Sequence, residues 1–149
     1  MHLSDSIEQR NAEPIIREMV STMLGVELAP SRIQLGDAAK VDVDGAAPDQ
    51  SAFVEIFAHQ GRLRGAQYHK VARDALKLIT LRREYPKSRL FIVFADSEAA
   101  RCVEGKSWLA ESLRLWQIDV LTVELDDHSR AVLRLAQTRQ VMINPETAG

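Results

Sequence analysis

Only one cysteine, Cys102, occurs among 149 residues, so no internal disulfide can form and nothing asks for an oxidising compartment. The four histidines are scattered, without the spacing of a zinc site. Neither G-x-G-x-x-G nor G-x-x-x-x-G-K-[ST] occurs, which argues against a doubly wound nucleotide-binding fold. His2, Asp5, Glu8 and Arg10 interrupt the N-terminus too often for a signal-peptide core, and no apolar run approaches membrane-spanning length. The expectation is a cytoplasmic protein without membrane association. With no repeat, low-complexity tract or linker, a single domain over residues 1–149 is expected.

What is present is ordinary globular composition, 46% hydrophobic and 27% charged, enough to bury a core without staples. The net charge of −2 conceals an uneven distribution. Residues 1–56 hold four Lys or Arg against ten Asp or Glu, whereas residues 62–89 hold nine against two. One contiguous basic segment inside an acidic chain suggests an anion-facing surface, with a solvated arginine-rich helix face as the plainer explanation.

Apolar periodicity predicts a first helix from about Ser4 to Leu24, capped by Ser4 or Ser6, striped by Ile7, Ile15, Ile16, Met19, Val20, Met23 and Leu24, and kinked or restarted near Glu13 by Pro14. Ile33 and Leu35, then Val41 and Val43, alternate with polar residues and predict two short strands joined around Gly36 and Asp37. Gly45 to Gln50 reads as a turn. A third strand, Ala52 to Ala58, sets Phe53, Glu55, Phe57 and His59 on one face and Ala52, Val54, Ile56 and Ala58 on the other.

A long helix from Leu63 to Tyr85 stops at Pro86, and the apolar run Arg89 to Ala95 predicts a strand buried on both faces. Asp96 or Ser97 caps a helix through Trp116, broken at Gly105; Ile118 to Leu125 is a strand, and His128 to Gln140 a terminal helix, with a strand there as the alternative. The order α-βββ-α-β-α-β-α implies an α/β fold with a mixed β-sheet sandwiched by helices.

Asp44 and Glu55 fall on neighbouring antiparallel strands, where their side chains can meet. Two carboxylates about 4 Å apart repel by roughly 4 kcal/mol at an effective dielectric of 20, so the pair needs a cation, a shared proton or water. Mg²⁺ suits it, since that ion takes one or two carboxylates and phosphate oxygens. The alternative leaves Glu55 in solvent and Asp44 merely starting the turn.

The stretches Val41-Asp42-Val43-Asp44-Gly45 and Val54-Glu55-Ile56-Phe57-Ala58, followed by Gly61 and Gln67-Tyr68-His69-Lys70, resemble the PD-(D/E)xK nuclease superfamily over roughly Glu13 to Ala95. The resemblance implies a restriction-endonuclease-like fold in which Asp44, Glu55 and the backbone carbonyl of Ile56 bind Mg²⁺ or Mn²⁺. A superfamily lysine belongs two residues after the Glu; Phe57 stands there, and no proline precedes Asp44. Some members supply the cation from the following helix. Gln67, Lys70, Asp74 and Lys77 share one face of that helix, so Lys70 is the first candidate and Lys77 the second, while Gln67 matches a glutamine of some nuclease branches. An ordinary Lys70 to Asp74 helix pair is the structural alternative. Glu13, in the first helix where members often carry an acidic residue, is better explained as a helix-terminal charge.

The implied activity is metal-dependent hydrolysis of nucleic-acid phosphodiesters, DNA before RNA, with Arg62, Arg64, Arg73 and His59 holding the backbone. A homodimer is an open arrangement. The alternative, suggested by Phe57, is an inactive fold serving as a nucleic-acid-binding or protein-interaction module. Cys102, Trp108 and Trp116 are expected to pack in the interior rather than act.

Overall fold

The computed structural model describes residues 7–143, so the expected caps Ser4 and Ser6 lie outside the described residues. Five strands form one sheet in the order β1-β2-β3-β4-β5: β1 (Ala29–Leu35), β2 (Ala39–Ala46), β3 (Ala52–Phe57), β4 (Arg89–Phe94) and β5 (Ile118–Thr122). The first three are antiparallel and the last three parallel. Helices α2 (Gly65–Glu84), α3 (Ser97–Arg101) and α4 (Trp108–Leu115) lie in the crossovers, while α1 (Ile7–Leu24) and α5 (Asp127–Ile143) precede and follow the sheet.

Alternation along β3 divides the core. Phe53 and Phe57 pack with Val71, Ala75, Leu78 and Leu81 of α2 and with Leu109 and Leu113 of α4. Ala52, Val54, Ile56 and Ala58 meet Ala12, Ile16 and Val20 of α1 and Leu133 of α5 on the other face. The expected α/β fold with a mixed sheet between helices is therefore present among the described residues. None of their helices is long and apolar enough to cross a membrane.

Several boundaries differ for local reasons. Helix α1 runs through Pro14 without a restart: the proline ring is exposed, and the Arg10 residue it faces one turn back is exposed as well. Gly25, at φ 69°, ends α1 as expected, its N–H reaching the Ser21 carbonyl at 2.9 Å. The stripe assigned to α1 is only partly interior: Ile16 and Val20 are buried, but Ile7, Ile15 and Met23 are exposed.

Strand β2 continues through Ala46, past the expected turn start at Gly45. Helix α2 begins at Gly65 rather than Leu63, because Arg64 is its N-cap and Gln67 Oε1 accepts the Arg64 N–H at 3.0 Å. The segment after β4 breaks around Gly105 into α3 and α4, capped by the Asp96 carboxylate and the Ser107 hydroxyl. The C-terminal element is a helix, not the alternative strand, starting one residue early with Asp126 Oδ1 accepting from Ser129 N at 2.7 Å.

Helix α5 is tied to the end of β3 by a reciprocal pair. Gln137 Oε1 accepts from Gln60 N at 2.7 Å, and Gln137 Nε2 donates to Gln60 O at 3.0 Å. Removing a side chain that satisfies two partly buried backbone groups costs about 1–3 kcal/mol. Gln137→Ala is expected to lower unfolding free energy by that amount in urea melts, and a loss below about 0.5 kcal/mol would mean that water replaces both bonds.

Candidate active site

The pairing of β1 with β2 slips by one residue at Asp44. Ala29 pairs with Ala46 and Ser31 with Val43, so Pro30 alone faces both Asp44 and Gly45. This β-bulge interrupts the alternation of β2 and turns Asp44 toward the α2 face that already holds Val41 and Val43. Pro30 has no N–H to lose at this position. Pairing of β2 with β3 covers only Gly45 to Val54 and Ala46 to Phe53, and beyond it Asp44 Oδ2 takes the Ile56 N–H at 2.8 Å in place of a strand carbonyl. Arg17 of α1 holds the Asp44 carbonyl at 2.8 Å.

Glu55, opposite Asp44, is only 2% exposed within a strand buried at all six positions. Its carboxyl is pushed up to about 10, first by burial, then by a side-chain hydrogen bond with Asp44 and by the negative charges of Asp44 and Asp74; Lys77 opposes these. Lys77 Nζ lies 2.7 Å from Glu55 Oε1, although that oxygen makes no properly directed hydrogen bond. Burial pulls the Lys77 ammonium down, yet attraction to Glu55, Asp74 and Asp44 leaves it above its ordinary value. Burial and the neighbouring negative charges thus push Glu55 toward its neutral form, while its contact with the Lys77 ammonium pulls the other way.

Asp74, given no site role by the sequence, is 4% exposed and part of the same electrostatic group. Burial raises it to about 6, with Lys77 and Lys70 pulling down and Asp44 pushing up. Its spacing from Lys70 and Lys77 on α2 was the only signal, and an ordinary helix pair explained that equally well. Glu13 of α1 is half-buried.

The other expected residues take different positions, with Lys70 acting on Asp74 but not in the ion pair that Glu55 makes with Lys77. Lys70 Nζ stands over the Phe57 ring, 5.3 Å from its centroid, so the lysine in contact with Glu55 is Lys77. Gln67 lies at the start of α2, its oxygen engaged in capping. The His59 ring lies tilted against that of Phe57, centroids 5.9 Å apart, and its Nε2 is 3.2 Å from the Arg62 carbonyl; burial lowers its pKa, as do Lys70 and Arg64. Arg62, Arg64 and Arg73 are exposed. Ile56 buries its side chain on the opposite sheet face, leaving its backbone alone on the Asp44 side.

Two further expectations change. Trp108 and Trp116 do not pack against the sheet: they are 75% and 50% exposed, because α4 buries Leu109, Ala110 and Leu113 instead. Cys102 is half-buried at the edge of the core, accepting from Leu63 N at 3.5 Å and donating to the Glu98 carbonyl at 3.4 Å.

Whether a divalent cation fits turns on the Asp44 and Glu55 carboxyls, which lie together, with the Lys77 ammonium 2.7 Å from Glu55 Oε1 on one side. Those donors suit Mg²⁺ or Mn²⁺ bound through two carboxylates and water. Among the described residues no group of three or more His, Cys, Asp or Glu is arranged to hold a metal ion, so the set is limited to this pair and backbone.

A carboxyl raised on folding favours the folded state while it is protonated, and that advantage is lost as pH climbs from its unfolded value toward its folded one. Asp74 therefore contributes a decline only up to about 6, and Glu55 continues it toward about 10. Metal-free protein is expected to lose stability between about pH 6 and 9, with a slope of at most about 1.4 kcal/mol per pH unit for the single proton involved. Glu55→Gln should flatten that slope. Urea melts at several pH values measure it, and a flat parent profile would mean that Glu55 is ionised against Lys77.

No family model, curated protein or solved structure matches this chain.

Proposed function

We propose that this chain is a metal-dependent nuclease of the PD-(D/E)xK type with a restriction-endonuclease-like fold, hydrolysing phosphodiester bonds of nucleic acid, DNA in the first instance. The observation that carries this reading is the meeting of Asp44 and Glu55 on adjacent strands, with Lys77 Nζ 2.7 Å from Glu55. Asp44, Glu55 and the Ile56 carbonyl would hold Mg²⁺ or Mn²⁺. Such an ion, when bound, lowers the pKa of water and stabilises charge on a phosphoryl oxygen.

The protein's own contributions follow from its side chains. Lys77 supplies beside Glu55 the positive charge that Phe57 cannot. Asp44 keeps its orientation through the Ile56 N–H, and Arg17 fixes the backbone beneath it. Exposed Arg62, Arg64 and Arg73 supply positive charge for a phosphate backbone, with affinity falling as salt rises. A second reading, a binding module without catalysis, draws on Phe57, which fills the superfamily's lysine position as a core residue 2% exposed.

The test is cleavage of single-stranded, duplex and branched DNA and of RNA with Mg²⁺ or Mn²⁺. Lys77→Ala is expected to lower the rate by about 10² or more, the usual worth of a positioned proton-transfer or charge-bearing group, and Lys70→Ala to have a smaller effect. Cleavage undiminished in Lys77→Ala would reject the assignment. Salt-sensitive binding without cleavage of any substrate would instead establish the binding module.

Charge reversal at Arg62 and Arg64 should weaken nucleic-acid binding and flatten its salt dependence while leaving thermal stability nearly unchanged. Equal binding by parent and variant at low salt would remove this segment from the interface.

A further inference from the structure

Glu55 is 2% exposed, so the space around its carboxyl is filled by protein, and on the Oε1 side the filling group is the Lys77 ammonium at 2.7 Å. A divalent ion would need a Glu55 oxygen at about 2.1 Å for Mg²⁺. The Lys77 side chain is 24% exposed and ends on a flexible four-carbon stem, which makes it the movable part of this enclosure. Strand β3 lies in the middle of the sheet between β2 and β4 and offers no comparable freedom.

A destination exists for the displaced ammonium. Asp74 lies three residues earlier on α2, close enough on the helix surface for a side-chain pair. It is 4% exposed and its ion contact with Arg73 is long, at 3.9 Å. It already interacts electrostatically with Lys77. Lys77 is therefore in contact with the strand carboxyl and under the attraction of Asp74, on which Lys70 acts as well.

We propose that Lys77 is a tethered cation that closes Glu55 to divalent ions in the metal-free protein and swings from that contact toward Asp74 when such an ion enters, so that the charge it brings to cleavage is supplied from the Asp74 side of the site. This rests on the reading of Asp44 and Glu55 as ligands, and adds that the site is self-occluded until an ion competes successfully with the protein's own ammonium. Apparent metal affinity is then reduced by the fraction of molecules in the closed arrangement. Asp74 acts as a positioning residue, stabilising the open arrangement through Lys77.

Calorimetric titration of the full chain with Mn²⁺ tests this without relying on cleavage. Lys77→Met, which keeps the length and removes the charge, is expected to bind Mn²⁺ roughly tenfold more tightly than the parent, within the coupling usual for groups in contact. Asp74→Asn should weaken binding by about threefold in the parent and less in the Lys77→Met background, the difference being the coupling between the two residues.

Equal or weaker binding by folded Lys77→Met overturns the closure while leaving the ligands intact. An equal Asp74→Asn penalty in both backgrounds overturns the withdrawal toward Asp74. Absence of Mn²⁺ binding in every variant overturns both the proposal and the metal-site reading. Should Lys77→Met fail to fold, the Lys77 ammonium signal in nitrogen-15 NMR of the parent, assigned by its loss in Lys77→Arg, decides the matter: it should shift saturably with Mg²⁺, and a signal unchanged while Mg²⁺ binds elsewhere in the site refutes closure.

Discussion

A carboxyl group in the middle of a fully buried strand demands compensation, and much of the local architecture follows from Glu55. Its neighbours on β3 are Val54 and Ile56, and the flanking β4 is buried from Leu90 to Phe94. Leaving an ionised carboxylate alone there would cost several kcal/mol. The protein answers with Asp44, which accepts a hydrogen bond from the Glu55 carboxyl in its protonated form, and with the Lys77 ammonium from α2. That answer introduces two further charges into the interior, with Asp74 beside them, so the group is stable only as a set.

The bulge opposite Pro30 makes the set geometrically possible. In uninterrupted alternation, Asp44 and Val43 would point to opposite faces of β2. With the slip, Asp44 joins Val41 and Val43 on the α2 side, and the β2–β3 ladder ends after two pairs while β3–β4 continues for six. The Asp44 carboxylate then satisfies the Ile56 N–H exposed by the early end of the ladder. Local irregularity in the antiparallel half of the sheet thus creates a polar position against its regular parallel half.

The basic segment divides among separate tasks. Lys77 is turned inward to Glu55, and Lys70 covers Phe57. Arg82 donates to the carbonyls of Trp116 and Gln117, fastening the end of α2 to the turn before β5, where Gln117 adopts a positive φ of 54°. Arg62, Arg64 and Arg73 remain exposed.

The chain by itself determined the order of elements, because period-2 and helical apolar patterns depend on local geometry that neighbouring residues impose. It likewise marked β4 as doubly buried, and Gly25 as the end of α1, since a continuous apolar run and a residue free to adopt positive φ carry their meaning locally. Asp44 and Glu55 were legible as a pair from adjacent strands. Which lysine meets Glu55 was not: Lys70 and Lys77 lie on the same helix face, and only the placement of α2 against β3 separates them. The burial of Asp74, the exposure of Trp108 and Trp116, and the bulge at Asp44 were likewise decided by tertiary structure, since each depends on which element packs opposite, and that information lies far away along the chain.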